Sequence, residues 1–132
     1  MADLTPDQIE KIKQFGSGQD EIAAVYVFGS VARGKARKKS DIDIALITET
    51  KLPAIKRMEM ENALSNRLGK EVDLVVFHQA SPLLQHQILK HGRLVYEANP
   101  KERVRQSVFA RNAYFDSACL YRKLKRDRPA NG

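Results

Sequence analysis

Apolar and polar positions alternate along this chain in short blocks, and the period of each block indicates the element it forms. Thr5-Pro6-Asp7-Gln8 predicts a helix start, with Thr5 as N-cap, Pro6 at the first helical position and Gln8 closing a capping box. Leu4 and Ile9 stand at staple spacing, and the helix is expected to stop at Gly16. Gly16-Ser17-Gly18 precedes a strand instead of following one, so it reads as a C-cap and turn, not as a phosphate loop. Ile22 to Phe28 is a continuous apolar run rich in valine and aromatic residues, which predicts a buried strand. Asp41 to Ile47 predicts a second strand, Pro53 to Leu68 a helix stopped by Gly69, and Glu71 to Phe77 a third strand. Ser81-Pro82 opens a helix running to about His91 and capped by Gly92; Arg93 to Tyr96 is a short fourth strand. Lys101 to Lys125 predicts a long helix, followed by a polar tail. Strands and helices alternating at this scale indicate an α/β or α+β domain around a small sheet.

A chain of 132 residues with 42% hydrophobic positions suits one domain with one core. No stretch approaches the roughly 20 apolar residues of a membrane helix, and the N-terminus lacks a basic region followed by an apolar run. The single cysteine, Cys119, can form no internal disulfide; it is expected to be a buried or half-buried small apolar residue. These features lead to the expectation of a cytoplasmic globular protein. The formal charge of +7 is unevenly spread: residues 101–132 carry 9 basic and 3 acidic side chains, residues 1–100 carry 14 and 13. Such a basic segment suits an acidic partner surface, nucleic acid or polyphosphate, and equally a solvated helix with a frayed end. Val104, Val108, Phe109, Phe115, Leu120, Tyr121 and Leu124 spread too widely around that helix for one narrow stripe, which suggests either one face on the domain and another on a partner, or a helix lying mostly at an interface.

The candidate chemistry sits at strand ends. Alternation puts Asp41 and Asp43 on one face of their strand and Ile42, Ile44 and Leu46 on the other. Two carboxylates about 6–7 Å apart along a strand can converge on one divalent cation or bridge two, and an oxygen-only set suits Mg²⁺. A D-x-D at a strand edge is also an ordinary solvated junction. Asp73 shares a face with Val75 and Phe77 in a very apolar strand, where a buried carboxylate needs a cation, hydrogen-bond donors or a salt bridge. Gly29-Ser30 ends the first strand: a glycine lets a phosphate approach the backbone, Ser30 can hold its oxygens, and Arg33 can add a charged fork. The plainer reading of Gly29-Ser30 is a helix N-cap, and that of Arg33 with Lys35 to Lys39 a solvated loop.

Gly29-Ser30, ten intervening residues and then Asp41-Ile42-Asp43 resemble the G-S-x10-D-x-D signature of the polymerase-β-type nucleotidyltransferases. The fuller string Gly29-Ser30-Val31-Ala32-Arg33-Gly34 … Ser40-Asp41-Ile42-Asp43 is similar to the minimal nucleotidyltransferase branch, and Asp73 falls at that family's third acid. The resemblance covers roughly residues 20–98; the basic helix from Arg103 resembles the tail of members that serve as antitoxins to HEPN-domain ribonuclease toxins. It implies an α+β fold: a small mixed sheet flanked by helices, with a nucleotidyltransferase domain over residues 1–100 and a partner-binding basic helix and tail over 101–132. It also implies ATP as substrate, two Mg²⁺ ions, and transfer of AMP to a tyrosine of the HEPN toxin. Gly29, Ser30 and Arg33 would hold the β- and γ-phosphates, Asp41 and Asp43 the metals, and Asp73 would complete the metal site and help deprotonate the acceptor. A phenol with a pKa near 10 needs that help at neutral pH. The alternatives are an antitoxin that works by binding alone and, ranked third, a nucleic-acid binder using the basic tail. The chain shows no aromatic stacking platform, so direct nucleic-acid binding is not expected. His78, His86 and His91 read as surface or satisfied core residues, because His86 and His91 miss the i,i+4 spacing of shared ligation.

Overall fold

A computed structural model describes residues 4–29 and 42–126. The elements are α1 (Pro6–Ser17), β1 (Ile22–Phe28), β2 (Ile42–Thr48), α2 (Ala54–Leu68), β3 (Val72–Val76), a 3₁₀ turn (Phe77–Gln79), α3 (Pro82–His91), β4 (Arg93–Glu97) and α4 (Pro100–Arg126). The expected capping box forms at Thr5 and Gln8, Ser81 Oγ accepts the Leu84 N–H, and Gly69 closes α2 in the left-handed conformation at φ 67°. The expected stop at Gly16 is corrected. α1 runs on to Ser17 and ends at Gly18, because Gly16 lies inside the helix, buried beneath the Tyr96 ring. A Cβ there would stand 2.6 Å from that ring. The glycine was selected by a residue eighty positions away, not by a helix end.

The four strands form one mixed sheet in the order β3-β2-β1-β4. β1 pairs antiparallel with β2 and β4, and β2 pairs parallel with β3. Central β1 is buried on both faces, which is why its sequence is apolar without alternation. A bulge between Ile22 and Ala24 resets its register, so Ile22 joins one layer and Ala23 and Ala24 the other. On one face Ile12 and Phe15 of α1 and Met60, Leu64 and Leu68 of α2 pack on Val25, Val27, Ile44, Leu46 and Leu74. On the other, Ile88 of α3 and Ala110 of α4 pack on Tyr26, Ala45, Ile47 and Phe77.

The 27 residues of α4 extend about 40 Å, and only the first half is held. Gln106, Ser107 and Ala110 are buried, and Gln106 Nε2 donates to the Thr48 carbonyl at 2.8 Å. Arg103 pairs with Glu97 of β4, and Tyr114 stacks on His86 with centroids 3.8 Å apart. Further along, Phe115, Leu120 and Leu124 are 58–64% exposed. Cys119 is exposed too, contrary to the expectation, because among the described residues no other element covers it. Among the described residues no helix is long and apolar enough to cross a membrane.

Glu102, in the first turn of α4, accepts from Arg105 Nε and Nη2 at 2.9 and 2.6 Å and from Gln106 Nε2 at 2.7 Å. The Arg105 fork, then the Gln106 amide, holds its carboxyl down to about 2 against the opposing effect of burial. A carboxyl lowered in the folded state stabilises the fold above its ordinary value of 4.5, and this contribution fades as pH falls from there towards 2. Glu102→Gln is expected to flatten the loss of stability between about pH 4.5 and pH 2, the window set by the two values. Urea midpoints across that range check it, and parallel wild-type and variant curves would refute it.

Candidate active site

Two of the acids singled out by sequence meet on the sheet. Asp43 is the second residue of β2 and Asp73 the second of β3, and the parallel ladder pairs them directly. Partners in register point to the same face, so the two carboxylates stand side by side on strands about 4.8 Å apart. That face also carries Ala45, Ile47 and Val75; α3 and α4 cover those residues, while Asp43 is half-buried and Asp73 exposed. The exposure of Asp73 corrects the expectation of a carboxylate enclosed in an apolar strand. β3 is an edge strand, and its apolar residues Val72, Leu74 and Val76 face the opposite layer. The cation is therefore not called for by burial of Asp73; the pairing with Asp43 is what brings two negative charges together.

Gly29 closes the cluster from the end of β1. Phe28 is the register partner of Asp43, and the next residue, Gly29, turns out of β1 at φ 76°. A Cβ on Gly29 would lie 2.2 Å from Asp43 Oδ2 and 3.1 Å from its Cγ. The glycine is thus required twice, by its positive φ and by the carboxylate packed against its α-carbon. Ser30, Arg33 and Asp41, the other sequence-predicted site residues, lie outside the described residues.

The position of Asp73 is fixed by residues that the sequence reading did not single out. Glu61 Oε2 accepts the Leu74 N–H at 2.8 Å, Arg57 Nη1 donates to the Leu74 carbonyl at 3.2 Å, and Ser65 Oγ accepts the Val72 N–H at 3.0 Å. These three side chains of α2 occupy the outward-facing backbone groups of β3, as a neighbouring strand otherwise would. Their i,i+4,i+8 spacing beside the apolar row Met60, Leu64 and Leu68 is the signal that could have revealed them.

Two adjacent carboxylates offer oxygen ligands that suit a hard cation such as Mg²⁺, which takes one or two protein carboxylates and completes its shell with water and phosphate oxygens. Among the described residues no third His, Cys, Asp or Glu joins them. A cavity of about 320 Å³ lined by Thr48, His78, Gln106 and Phe109 lies at the other end of β2, about 16 Å along the strand from Asp43, too far to share its chemistry. There His78 Nε2 meets Thr48 Oγ1 at 3.2 Å, a satisfied histidine as expected.

Residues 10–101 match the family model described as polymerase beta, nucleotidyltransferase. The protein adenylyltransferase MntA of Shewanella oneidensis is 33% identical over 85 residues, 64% of this chain and 61% of that protein. The chain therefore spans about three fifths of that relative's length. The protein adenylyltransferase MntA of Thermococcus cleftensis is 36% identical over 85 residues, 58% of this chain and 81% of the relative. A crystal structure of a toxin–antitoxin with AMP-PNP contains a chain that superposes with a TM-score of 0.79 at 26% identity, over 90% of this chain and 96% of the other. A tri-AMPylated Shewanella oneidensis HEPN toxin in complex with MNT antitoxin gives 0.73 at 24% identity, over 91% and 94%, a likeness of fold.

Proposed function

The chain belongs to the polymerase β nucleotidyltransferase family, and from that premise we propose that it is an antitoxin adenylyltransferase. In this reading it moves AMP from ATP to a tyrosine of a cognate HEPN ribonuclease toxin and so neutralises it. The observation that carries the proposal is the in-register pair Asp43 and Asp73 closed by Gly29. The relatives named protein adenylyltransferase and the toxin–antitoxin neighbour holding a nucleotide analogue support it.

The reaction is an in-line exchange at the α-phosphorus. The tyrosine oxygen forms a bond to phosphorus, the bond to the bridging oxygen breaks, and pyrophosphate leaves with that electron pair. Asp73, the more open of the two acids, would accept the phenolic proton and release it to water. Asp41, Asp43 and Asp73 would hold Mg²⁺, which when bound neutralises charge on the phosphate oxygens. Gly29, Ser30 and Arg33 would hold the β- and γ-phosphates. Gly29 also keeps the Asp43 carboxylate in place by leaving room for it.

Incubation with α-labelled ATP, Mg²⁺ and the product of the adjacent gene tests the proposal: label should appear on that protein's tyrosine. Gly29→Ala is expected to lower this transfer about 100-fold, because a displacement of about 1 Å suffices for that. The added strain and crowding should also cost about 1–2 kcal/mol of stability. Transfer within threefold of wild type would remove Gly29 from the site.

A second reading, inhibition by binding alone, is favoured by α4. Val104 and Val108 are each 48% exposed and Phe115 64%, on one face that also carries Arg111 and Arg122, a surface suited to an apolar and acidic partner. Toxin inhibited by a transfer-dead Asp43→Ala protein would establish it.

A further inference from the structure

We propose that the groove along the outer edge of β3, beside Asp73, receives the acceptor side chain and is shaped for an aromatic hydroxyl. The inference rests on the AMP-transfer reading and adds where the acceptor sits and what selects it. The groove measures about 300 Å³ and is lined by Arg57, Asp73, Val75, Gln79, Ala80 and Leu84 among others. Its floor is apolar: Val75 and Leu84 are both half-buried, packed on the layer beneath α3 and presenting their remaining surface to the groove.

Three features specify the occupant. The first is spacing. Asp73 and Val75 are alternate residues on one face of β3, about 6.6 Å apart. A phenol ring laid over Val75 and Leu84 spans that distance and brings its oxygen to the Asp73 carboxylate. A serine or threonine hydroxyl, one bond from its β-carbon, would have to bring its own backbone into the groove. The second is polarity. The apolar floor rewards a ring and gives nothing to a short hydroxyl side chain. The third is the sealed edge. A peptide adding to β3 as a strand would need Leu74 N–H and C=O, and these are already taken by Glu61 and Arg57. The segment that enters the groove therefore does so through a side chain.

The protein, labelled at valine and leucine methyls, is titrated with N-acetyl-tyrosinamide and separately with N-acetyl-serinamide. Saturable shifts at the Val75 and Leu84 methyls with the tyrosine probe alone are expected. Equal responses to both probes, or shifts confined to other methyls, overturn the proposal. In parallel, Val75→Thr and Leu84→Asn are assayed for label transfer from ATP to the partner protein. The KM for the protein acceptor should rise at least tenfold while affinity for AMP-PNP stays within twofold of wild type. Transfer with an unchanged acceptor KM overturns the groove and leaves the transferase standing. Methyl shifts in a protein that labels no acceptor support a phenol-binding groove and count against the transferase instead.

Discussion

Asp73→Asn is expected to reduce AMP transfer by about 10³-fold, within the range of about 10²–10⁴ for loss of a positioned proton acceptor, and to leave stability within about 0.5 kcal/mol of wild type. The two halves of this expectation have one cause. The side chain is exposed on an edge strand, so the core does not depend on it. Its place beside Asp43 comes from the backbone ladder and the Glu61, Arg57 and Ser65 anchors, which the substitution leaves intact. Asparagine keeps the shape and removes both the charge and the capacity to take a proton. Label transfer from ATP and a urea titration on the same preparation check both halves. Transfer within tenfold of wild type would remove Asp73 from the chemistry.

Phe77→Ala is expected to destabilise the fold by about 3–5 kcal/mol, the range for emptying a large aromatic site in a core. Phe77 is fully buried at the end of β3, where the chain leaves the sheet and turns into α3. Its ring fills the layer with Tyr26, Ile47, Ile88 and Ala110. Its carbonyl accepts from Gln85 Nε2 at 2.8 Å and from the Ala80 N–H at 3.1 Å, so the cavity would open beside a hydrogen-bonded corner with little freedom to collapse. Against a typical total of about 5–15 kcal/mol, such a loss takes a large share. A urea-derived change below about 1 kcal/mol would contradict this packing.

What could be read from the sequence divides along the length scale of the cause. Thr5 with Gln8, Ser81, and Gly69 mark helix ends through contacts within a few residues, and each does so in the structure. The face shared by Asp73 and Val75 follows from strand alternation and is likewise local. Edge or centre position is not local: β3 reads as a buried strand because its residues on the α2 side are apolar, and only the sheet order exposes Asp73. The same holds for Gly16, set by the distant Tyr96 ring, and for Gly29, whose Asp43 contact adds a second constraint to the expected phosphate approach. Cys119 was expected under cover because cysteines usually are; a helix that outruns its domain leaves it in the open. The roles of Ser30, Arg33 and Asp41 stand as proposals from the sequence.

The central position of β1 also bears on how the chain is made. One neighbour, β2, follows it closely, but the other is β4, where Ala24 pairs with Glu97. Closing so long a loop is entropically costly, and contacts of this separation slow folding. As the polypeptide emerges from the ribosome, β1 and β2 can meet early, while one flank of β1 stays unsatisfied until nearly the whole sheet has been synthesised. A half-finished sheet with an unpaired strand edge is prone to aggregation. Pro100 begins α4 three residues after β4 ends, so the strand that completes the sheet and the basic helix reach solution almost together.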